Sequence, residues 1–347
     1  MKKRLVSLVT ACGLALSLAA CGGAGSESAA SSEAASSEAT ASSEAASSEE
    51  ASAGAAHYTI GICQLVQHDA LDAATQGFQD ALNEALGEEN ITWDLQNAQN
   101  DTATCATITN AFVASGVDLI MANGTAALQS AQAATSEIPI LGTSITEYGV
   151  ALGIDGFDGT VGTNISGTSD LAPLDEQAAM IQELFPDAST VGLLYCSAEP
   201  NSQYQVDTVQ GYLEELGYTC TQYAFSDSND LSSVCQGAAD ASDVIYIPTD
   251  NTAAGNAETI ANVVLAAGVP VVTGESGLCS GCGVATLSIS YYDLGYTTGE
   301  MAAQILQGEA DITTMAVQSA PNVTKMYNAA NCETLGITIP EGYEAIA

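Results

Sequence analysis

The chain has 347 residues and a formal net charge of −38, because 42 acidic residues are set against only four Lys and Arg. Three of these four basic residues lie within positions 2–4, and the remaining one is Lys325. Nucleic-acid binding needs clustered Lys and Arg to neutralise phosphates, so this composition excludes it. It equally excludes electrostatic attachment to anionic lipids, and any link to a membrane must therefore be covalent.

The first 20 residues have the features of an export signal. A basic start is followed by an apolar run from residue 5 to residue 20, which ends in small residues just before Cys21. Residues 18–21 resemble the lipobox of bacterial lipoproteins, in which the Cys becomes the first mature residue and carries lipid. We therefore expect residues 1–20 to be removed, and Cys21 to anchor an exported protein on the outer face of the cell membrane. An ordinary signal peptide with a chance Cys is the alternative.

Residues 21–56 consist almost entirely of Ser, Ala, Glu and Gly. They contain no apolar side chain larger than Ala after Cys21, so they cannot form a core and are predicted to be a disordered linker. An Ala- and Glu-rich helix is the alternative, which the frequent Ser residues disfavour.

From residue 58 onwards, short apolar runs alternate with segments of helical length, a pattern typical of parallel α/β architecture. Strands are predicted at residues 58–66, 91–95, 118–122, 138–141, 190–196, 219–225, 243–247, 270–273 and 284–289. Helices are predicted at residues 70–86, 103–115, 203–216 and 256–267. A length of about 290 residues exceeds one compact doubly wound domain, so two are expected.

The two halves of this region resemble each other. The matched segments are 76–78 with 210–212, 118–120 with 243–245, and 138–140 with 269–271. Three matches in the same order indicate an internal repeat of a strand–helix unit. The fold prediction is therefore α/β, with two similar doubly wound parallel-sheet lobes and a ligand cleft between them.

Ligands of parallel α/β sheets bind at the carboxyl ends of strands. The loops predicted there carry the candidate binding residues Gln64, His68, Thr125, Ala126, Ser144, Glu199, Asn201, Asp250, Asn251 and Glu275. Ordinary helix capping is the alternative for each loop taken alone.

The absence of Arg beyond the signal segment restricts the ligand chemistry. A ligand carboxylate would have to be bound by backbone N–H groups at a helix N-terminus, which Thr125 and Ala126 can supply. The carboxylates of Asp250, Glu199 and Glu275 can bind an ammonium group. This pairing favours a zwitterionic ligand.

Several of these segments resemble one family of ABC-transporter substrate-binding lipoproteins, whose tryptophan- and tyrosine-binding members are the best known. The resemblance is carried by residues 64–72, 77–78, 199–202, 249–252, 274–277, 291–299 and 335–340. It implies a type I periplasmic-binding fold whose chain crosses three times between lobe 1 (residues 58–170 and about 290–318) and lobe 2 (residues 171–289 and about 319–347). The loop at 278–282 departs from the family's more usual Gly-rich stretch.

The resemblance also implies a function. It indicates capture of a small aromatic amino acid by a monomer that delivers it to an ABC permease and its ATPase. An aromatic ligand favours aromatic walls, and Tyr291 is the preferred candidate over Tyr148, Tyr204 and Tyr292. Trp93 lies within a strand and is predicted to belong to the core.

Other functions are less well supported by the sequence. A surface receptor that senses the same ligand without transport is one alternative. A surface hydrolase is another, but the chain has no GxSxG motif and His68 is its one plausible His base. No enzyme activity, cofactor or metal site is predicted. The Cys279 and Cys282 pair is expected to form either a local disulfide or two free thiols.

Overall fold

Parallel β-strands joined by helices run through the whole structure, a computed structural model that describes residues 56–320 and 322–346. The strands, in chain order, are β1 (Tyr58–Gln64), β2 (Ile91–Asn97), β3 (Leu119–Asn123), β4 (Ile140–Ile145), β5 (Ile165–Ser169), β6 (Thr190–Cys196), β7 (Thr219–Phe225), β8 (Val244–Ile247), β9 (Val271–Thr273), β10 (Ala285–Ser288), β11 (Gln318–Ser319), β12 (Thr324–Tyr327) and β13 (Glu344–Ala345). All nine predicted strands are present, whereas β5, β11, β12 and β13 were not predicted.

The helices account for most of the remaining chain. They are α1 (Asp69–Leu86), α2 (Thr102–Ser115), α3 (Thr125–Ala134), α4 (Tyr148–Leu152), α5 (Leu174–Leu184), α6 (Pro200–Glu215), α7 (Leu231–Ala241), α8 (Asn251–Ala254), α9 (Ala257–Ala267), α10 (Ser276–Gly281), α11 (Tyr291–Leu306) and α12 (Ala329–Leu335). Short 3-10 turns lie at Glu88–Asn90 and Ile312–Thr314.

The strands form two sheets, one in each lobe. In lobe 1 the order is β11-β5-β4-β3-β1-β2, with every neighbouring pair parallel. In lobe 2 the order is β13-β12-β10-β9-β8-β6-β7, and only the β10–β12 pair is antiparallel. The chain passes from one sheet to the other after β5, after β10 and after β11. The predicted α/β fold with two parallel-sheet lobes is confirmed.

Equivalent residues perform the same local task in the two lobes. Asp118 accepts a hydrogen bond of 2.7 Å from the backbone N–H of Thr59, at the start of β1. Asp243 accepts bonds of 2.8 and 2.9 Å from the backbone N–H groups of Ser189 and Thr190, at the start of β6. These two Asp residues belong to one of the matched segment pairs, and each fixes the beginning of the first strand of its lobe.

Helices α1 and α11 pack with their backbones in direct contact. A Cβ atom on Gly295 would lie only 1.9 Å from the carbonyl oxygen of Ala74, and one on Gly77 only 2.1 Å from that of Tyr292. Side chains of any size would therefore force the two helices apart. Near their N-termini the same helices share a small apolar cluster with Ile289, which lies in the second crossover.

None of the helices in the described residues combines the length and the apolar composition needed to cross a bilayer. The predicted signal peptide, Cys21 and the predicted linker up to residue 55 lie outside the described residues.

Candidate ligand-binding site

A small cavity lies between the two lobes, at the carboxyl ends of their parallel strands. We call it the cleft cavity. It is lined by His68, Leu71, Ser144, Thr146, Asp170, Asn201, Thr249, Asp250, Asn251, Ala254, Glu275 and Tyr291. Its volume is about 10 Å³, which is room for about one water molecule. An amino acid therefore cannot enter until the lobes move apart.

The structure brings most of the predicted site residues together at this cavity. Those that line it are His68, Ser144, Asn201, Asp250, Asn251, Glu275 and Tyr291. Among the described residues, Gln64, Thr125, Ala126 and Glu199 lie outside the lining. Thr125 is buried at the start of α3, and Ala126 packs against the core of lobe 1.

Sequence reasoning missed five lining residues. Thr146 and Thr249 lie in loops that were already predicted to face the ligand, so their position carried a usable signal. Asp170 follows β5, a strand that was not predicted, and Leu71 and Ala254 are apolar helix residues without a sequence signal.

Gln64 supports the loop that carries His68. Its side-chain oxygen accepts a hydrogen bond of 2.7 Å from the Thr75 hydroxyl, and its amide nitrogen donates to Asp72 at 2.6 Å and to the carbonyl of Val66 at 2.9 Å. Both amide hydrogens and the amide oxygen of this buried side chain are thus engaged inside lobe 1. Gln64 fixes the first loop against α1.

Glu199 supports the opposite wall of the cavity. One carboxylate oxygen accepts from the Asn251 backbone N–H at 3.0 Å and from its side-chain amide at 2.8 Å. The other accepts from the Thr252 backbone N–H at 2.8 Å and from its hydroxyl at 2.7 Å. Glu199 therefore orients the start of α8, and with it the side chain of Asn251.

Asp250 and Glu275 line the cavity and also cap helices. Asp250 accepts from the backbone N–H of Ala253 at 2.8 Å and from that of Cys196 at 2.6 Å, one on each oxygen. Glu275 accepts from the backbone N–H groups of Gly277 and Leu278, again one on each oxygen. Burial raises the pKa of Glu275 to about 7, and burial together with the neighbouring Glu199 charge raises the pKa of Asp250 to about 8.

Ser144 is held in a strained conformation at the edge of the cavity. Its φ angle is +56°, a left-handed value that is uncommon outside glycine. The pairing of β4 with β5 changes register between Gly142 and Ile145, so Ser144 lies within a β-bulge. Bulges redirect side chains beside functional sites, and here the bulge brings Ser144 to the cavity.

Asp170 and Tyr291, which both line the cavity, connect the first crossover with the start of the helix that follows the second. Asp170 lies between β5 and α5, and Tyr291 begins α11 just after β10. The Tyr291 hydroxyl donates a hydrogen bond of 2.8 Å to Oδ2 of Asp170. Burial raises the pKa of Asp170, while the hydrogen bond from Tyr291 opposes that rise by stabilising the carboxylate.

Three hydrogen bonds connect the lobes around the cavity. His68 Nε2 lies 3.3 Å from Asn251 Oδ1, and burial lowers the pKa of His68, which favours its neutral form. Asn100 donates to the Thr252 hydroxyl at 2.8 Å. The hydroxyls of Thr146 and Thr249 are 3.4 Å apart. These contacts hold the lobes in a closed arrangement.

The other aromatic candidates lie away from the cavity. Tyr148 is in the core of lobe 1, where its hydroxyl donates to the carbonyl of Gly142 at 3.1 Å. Tyr292 is exposed and donates to Asp80 at 2.9 Å. Tyr204 is half-buried on α6. Trp93 packs edge-on against Phe78 in lobe 1, as its predicted core position requires.

The cysteines of the described residues are free thiols. Cys279 lies on α10 and Cys282 directly follows it; both are buried, and burial raises the pKa of each thiol. The local disulfide is therefore not formed in this structure. Within residues 56–320 and 322–346, no group of His, Cys, Asp and Glu has an arrangement suited to a metal ion.

The model of a family described as "ABC transporter substrate binding protein" matches residues 59–347. This chain belongs to that family. Its members are ligand-binding proteins rather than enzymes, which confirms the prediction that the chain has no enzyme activity, and the two lobes have the type I periplasmic-binding fold.

Individual members of the ABC transporter substrate-binding family are similar to this chain over most of its length. The tyrosine-binding protein of Clostridioides difficile is 35% identical over 256 residues, which are 72% of this chain and 73% of that protein. An ABC domain from Streptococcus pneumonia, solved in complex with L-Trp, is 30% identical with a TM-score of 0.80, over 84% of this chain and 100% of that one. The ligand-free, open structure of a substrate-binding protein with adhesive properties from Clostridium difficile is 35% identical with a TM-score of 0.64, over 83% of this chain and 99% of that one.

Proposed function

We propose that this protein is the extracytoplasmic, lipid-anchored substrate-binding component of an ABC importer, and that it captures an aromatic amino acid between its lobes. The observation that carries the proposal is the cleft cavity, a buried polar site closed by hydrogen bonds between the lobes. Family membership supports the role of substrate capture, and the L-Trp complex and the tyrosine-binding relative support the class of ligand.

The chemistry of the cavity agrees with a zwitterion that carries a ring. Carboxylates on one side can balance an ammonium group, and the hydroxyls of Thr146 and Thr249 can donate to a carboxylate. Thr249 accepts from Gln205 at 2.7 Å, and when the lobes open and its contact with Thr146 is lost, its hydroxyl proton becomes available to a ligand. Leu71, Ala254 and the ring of Tyr291 provide apolar contacts.

Lobe closure is the proposed binding step. The TM-score of this structure is 0.80 against the L-Trp complex and 0.64 against the ligand-free open structure, although the open structure has the higher sequence identity. The arrangement of the lobes is therefore more similar to that of the ligand complex. Hinge bending at the crossovers would open the cavity, and the contacts between lobes would re-form over the ligand.

A thermal denaturation screen of the twenty amino acids tests the ligand class. Ligand at 100 times its Kd stabilises a folded protein by about 2.7 kcal/mol, so a true ligand raises Tm clearly and its D-enantiomer serves as the control. Calorimetric titration of each hit then gives Kd, and X-ray scattering of the same samples measures closure. Stabilisation by a sugar or a nucleoside alone would contradict the proposal.

The anchor and the transport role need a test in cells. Replacement of Cys21 by Ala should move the protein from the membrane fraction into the soluble exported fraction, because nothing else in so acidic a chain attracts it to anionic lipid. Deletion of the protein should lower uptake of the radiolabelled ligand. Unchanged uptake, together with confirmed binding, would favour a sensing receptor instead.

A further inference from the structure

Three buried polar atoms at the cleft cavity lack a hydrogen-bond partner in the part of the chain that the structure describes. They are Nδ1 of His68, Oγ of Ser144 and Oδ1 of Asp170. Ser144 is 7% exposed and Asp170 only 4%. Buried polar atoms in proteins are almost always paired. Three unpaired atoms at one cavity therefore indicate a ligand group that pairs with them.

The hydrogen bonds around Asn251 assign the role of the His68 atom. The Asn251 amide nitrogen donates to Glu199 at 2.8 Å, so the amide oxygen is the atom that faces His68. Nε2 of His68 must then carry the proton, and in the neutral ring Nδ1 is an acceptor. Ser144 can accept through its hydroxyl oxygen, and the Asp170 oxygen is an acceptor whenever the carboxyl group is ionised. The cavity thus presents three free acceptors.

The two other carboxylates of the lining are already engaged. Each oxygen of Asp250 accepts one backbone N–H, from Cys196 or Ala253, and each oxygen of Glu275 accepts one in the same way. Asp170 differs, because Tyr291 occupies only one of its oxygens. Asp170 is therefore the carboxylate with the greatest remaining capacity to bind a cation.

We propose that the α-ammonium group of the bound amino acid is held by Oδ1 of Asp170, Oγ of Ser144 and Nδ1 of His68, with Asp170 as its charged partner. This assignment rests on the function proposed above and makes it more specific. An ammonium group has three N–H donors, which match the three free acceptors. A ligand without an amino group would leave all three unpaired.

The position of Asp170 gives this contact a second effect. Asp170 lies in the first crossover and accepts a hydrogen bond from Tyr291, which follows the second crossover. The ammonium group therefore binds directly to the segments at which the lobes bend. His68 contributes from lobe 1 and contacts Asn251 of lobe 2. Recognition of the amino group and closure of the lobes are thereby linked through the same few side chains.

A thermodynamic cycle tests the assignment with full-length protein in mild detergent. Kd is measured for the aromatic L-amino acid that gives the largest thermal shift and for its desamino analogue: 3-(4-hydroxyphenyl)propionate for tyrosine, indole-3-propionate for tryptophan or 3-phenylpropionate for phenylalanine. The variants are Asp170→Asn and, as matched controls from the same cavity, Asp250→Asn and Glu275→Gln. In the wild type, loss of the amino group should weaken binding on the order of 100-fold, as expected for a buried charge-assisted contact.

Asp170→Asn should reduce this difference to a few-fold, whereas both control variants should retain it even if they bind more weakly overall. Loss of the difference in Asp250→Asn or Glu275→Gln but not in Asp170→Asn would overturn the assignment and leave the proposed function intact. A wild type that binds no aromatic amino acid would overturn both. If Asp170→Asn does not fold, Ser144→Gly removes one acceptor without backbone strain and should reduce the difference about tenfold; an unchanged difference there would overturn the assignment.

Discussion

Glu199→Gln separates support of the site from contact with the ligand. The substitution preserves the shape of the side chain but turns one acceptor oxygen into an NH₂ group, which then faces the two donors of Asn251 or those of Thr252. Leaving two buried donors unpaired costs about 1–3 kcal/mol each. Because the rest of the loop can relax, we expect the free energy of unfolding to fall by about 2–4 kcal/mol.

Ligand affinity should fall as well, although Glu199 does not line the cavity among the described residues. Without Glu199, Asn251 is no longer held toward His68, and a neutral hydrogen bond of this kind contributes about 0.5–1.5 kcal/mol, or about two- to tenfold in Kd. Urea unfolding and calorimetric titration measure the two effects. The control is Glu215→Gln at the exposed C-terminal end of α6, the helix that begins directly after Glu199, where a change within about 0.5 kcal/mol is expected. Equal stability of the two variants would refute the supporting role of Glu199.

Three further predictions follow from the packing, the buried acids and the contacts between lobes. Gly295→Ala should lower the free energy of unfolding by about 3 kcal/mol or more, because its Cβ would meet the backbone of α1. Gly211→Ala, with no described atom within 4 Å of the added Cβ, is the control and should be neutral or slightly stabilising in urea unfolding. Equal effects of the two substitutions would contradict the packing argument. The pKa values of Asp250 and Glu275 are raised to about 8 and about 7, so their contribution to stability is complete below about pH 4 and is lost as the pH rises through 7 to 8. The free energy of unfolding measured from pH 5 to 8 should therefore decline, and Asp250→Asn should make the decline shallower. An unaltered slope of the unfolding free energy against pH would be the contrary result. Asn100→Gly removes a contact between the lobes without straining the left-handed backbone at this position, where φ is +62°. It should weaken ligand binding about two- to tenfold in calorimetry, with no change in the ligand-free Tm above about 2 °C. Unweakened binding would exclude that contact from closure.

The fold was predictable where apolar runs were continuous. The strand from Tyr58 to Gln64 and its counterpart from Thr190 to Cys196 are buried and rich in large apolar residues, so their pattern identified them. Strand β5 was missed because Ile165 is its one large apolar residue. Its burial depends instead on side-chain hydrogen bonds, such as that between the Thr168 and Thr298 hydroxyls at 2.8 Å, which join residues far apart in the chain.

The candidate site, like the fold, could be predicted only in part from the sequence. Loop position was enough to predict that Asp250 and Glu275 face the cleft, because the carboxyl ends of parallel strands meet there. It could not show that backbone donors already engage both carboxylates, since the Cys196 N–H that binds Asp250 lies 54 residues away in the chain. Asp170, with its unpaired oxygen, carries no local motif at all. Only the folded arrangement distinguishes a carboxylate that is engaged from one that is available.

The contact between α1 and α11 has a mechanical consequence. Helix α1 starts beside His68 at the cavity and α11 starts at Tyr291 after the second crossover, and their backbones touch at Gly77 and Gly295. Two helices in such contact cannot slide or tilt independently, so we expect them to move together as one rigid unit. A rotation of only a few degrees at the crossover is then carried along the 18 residues of α1 without being absorbed on the way. The two glycines thus hold α1 and α11 together within lobe 1, and we expect bending at the three segments that connect the lobes.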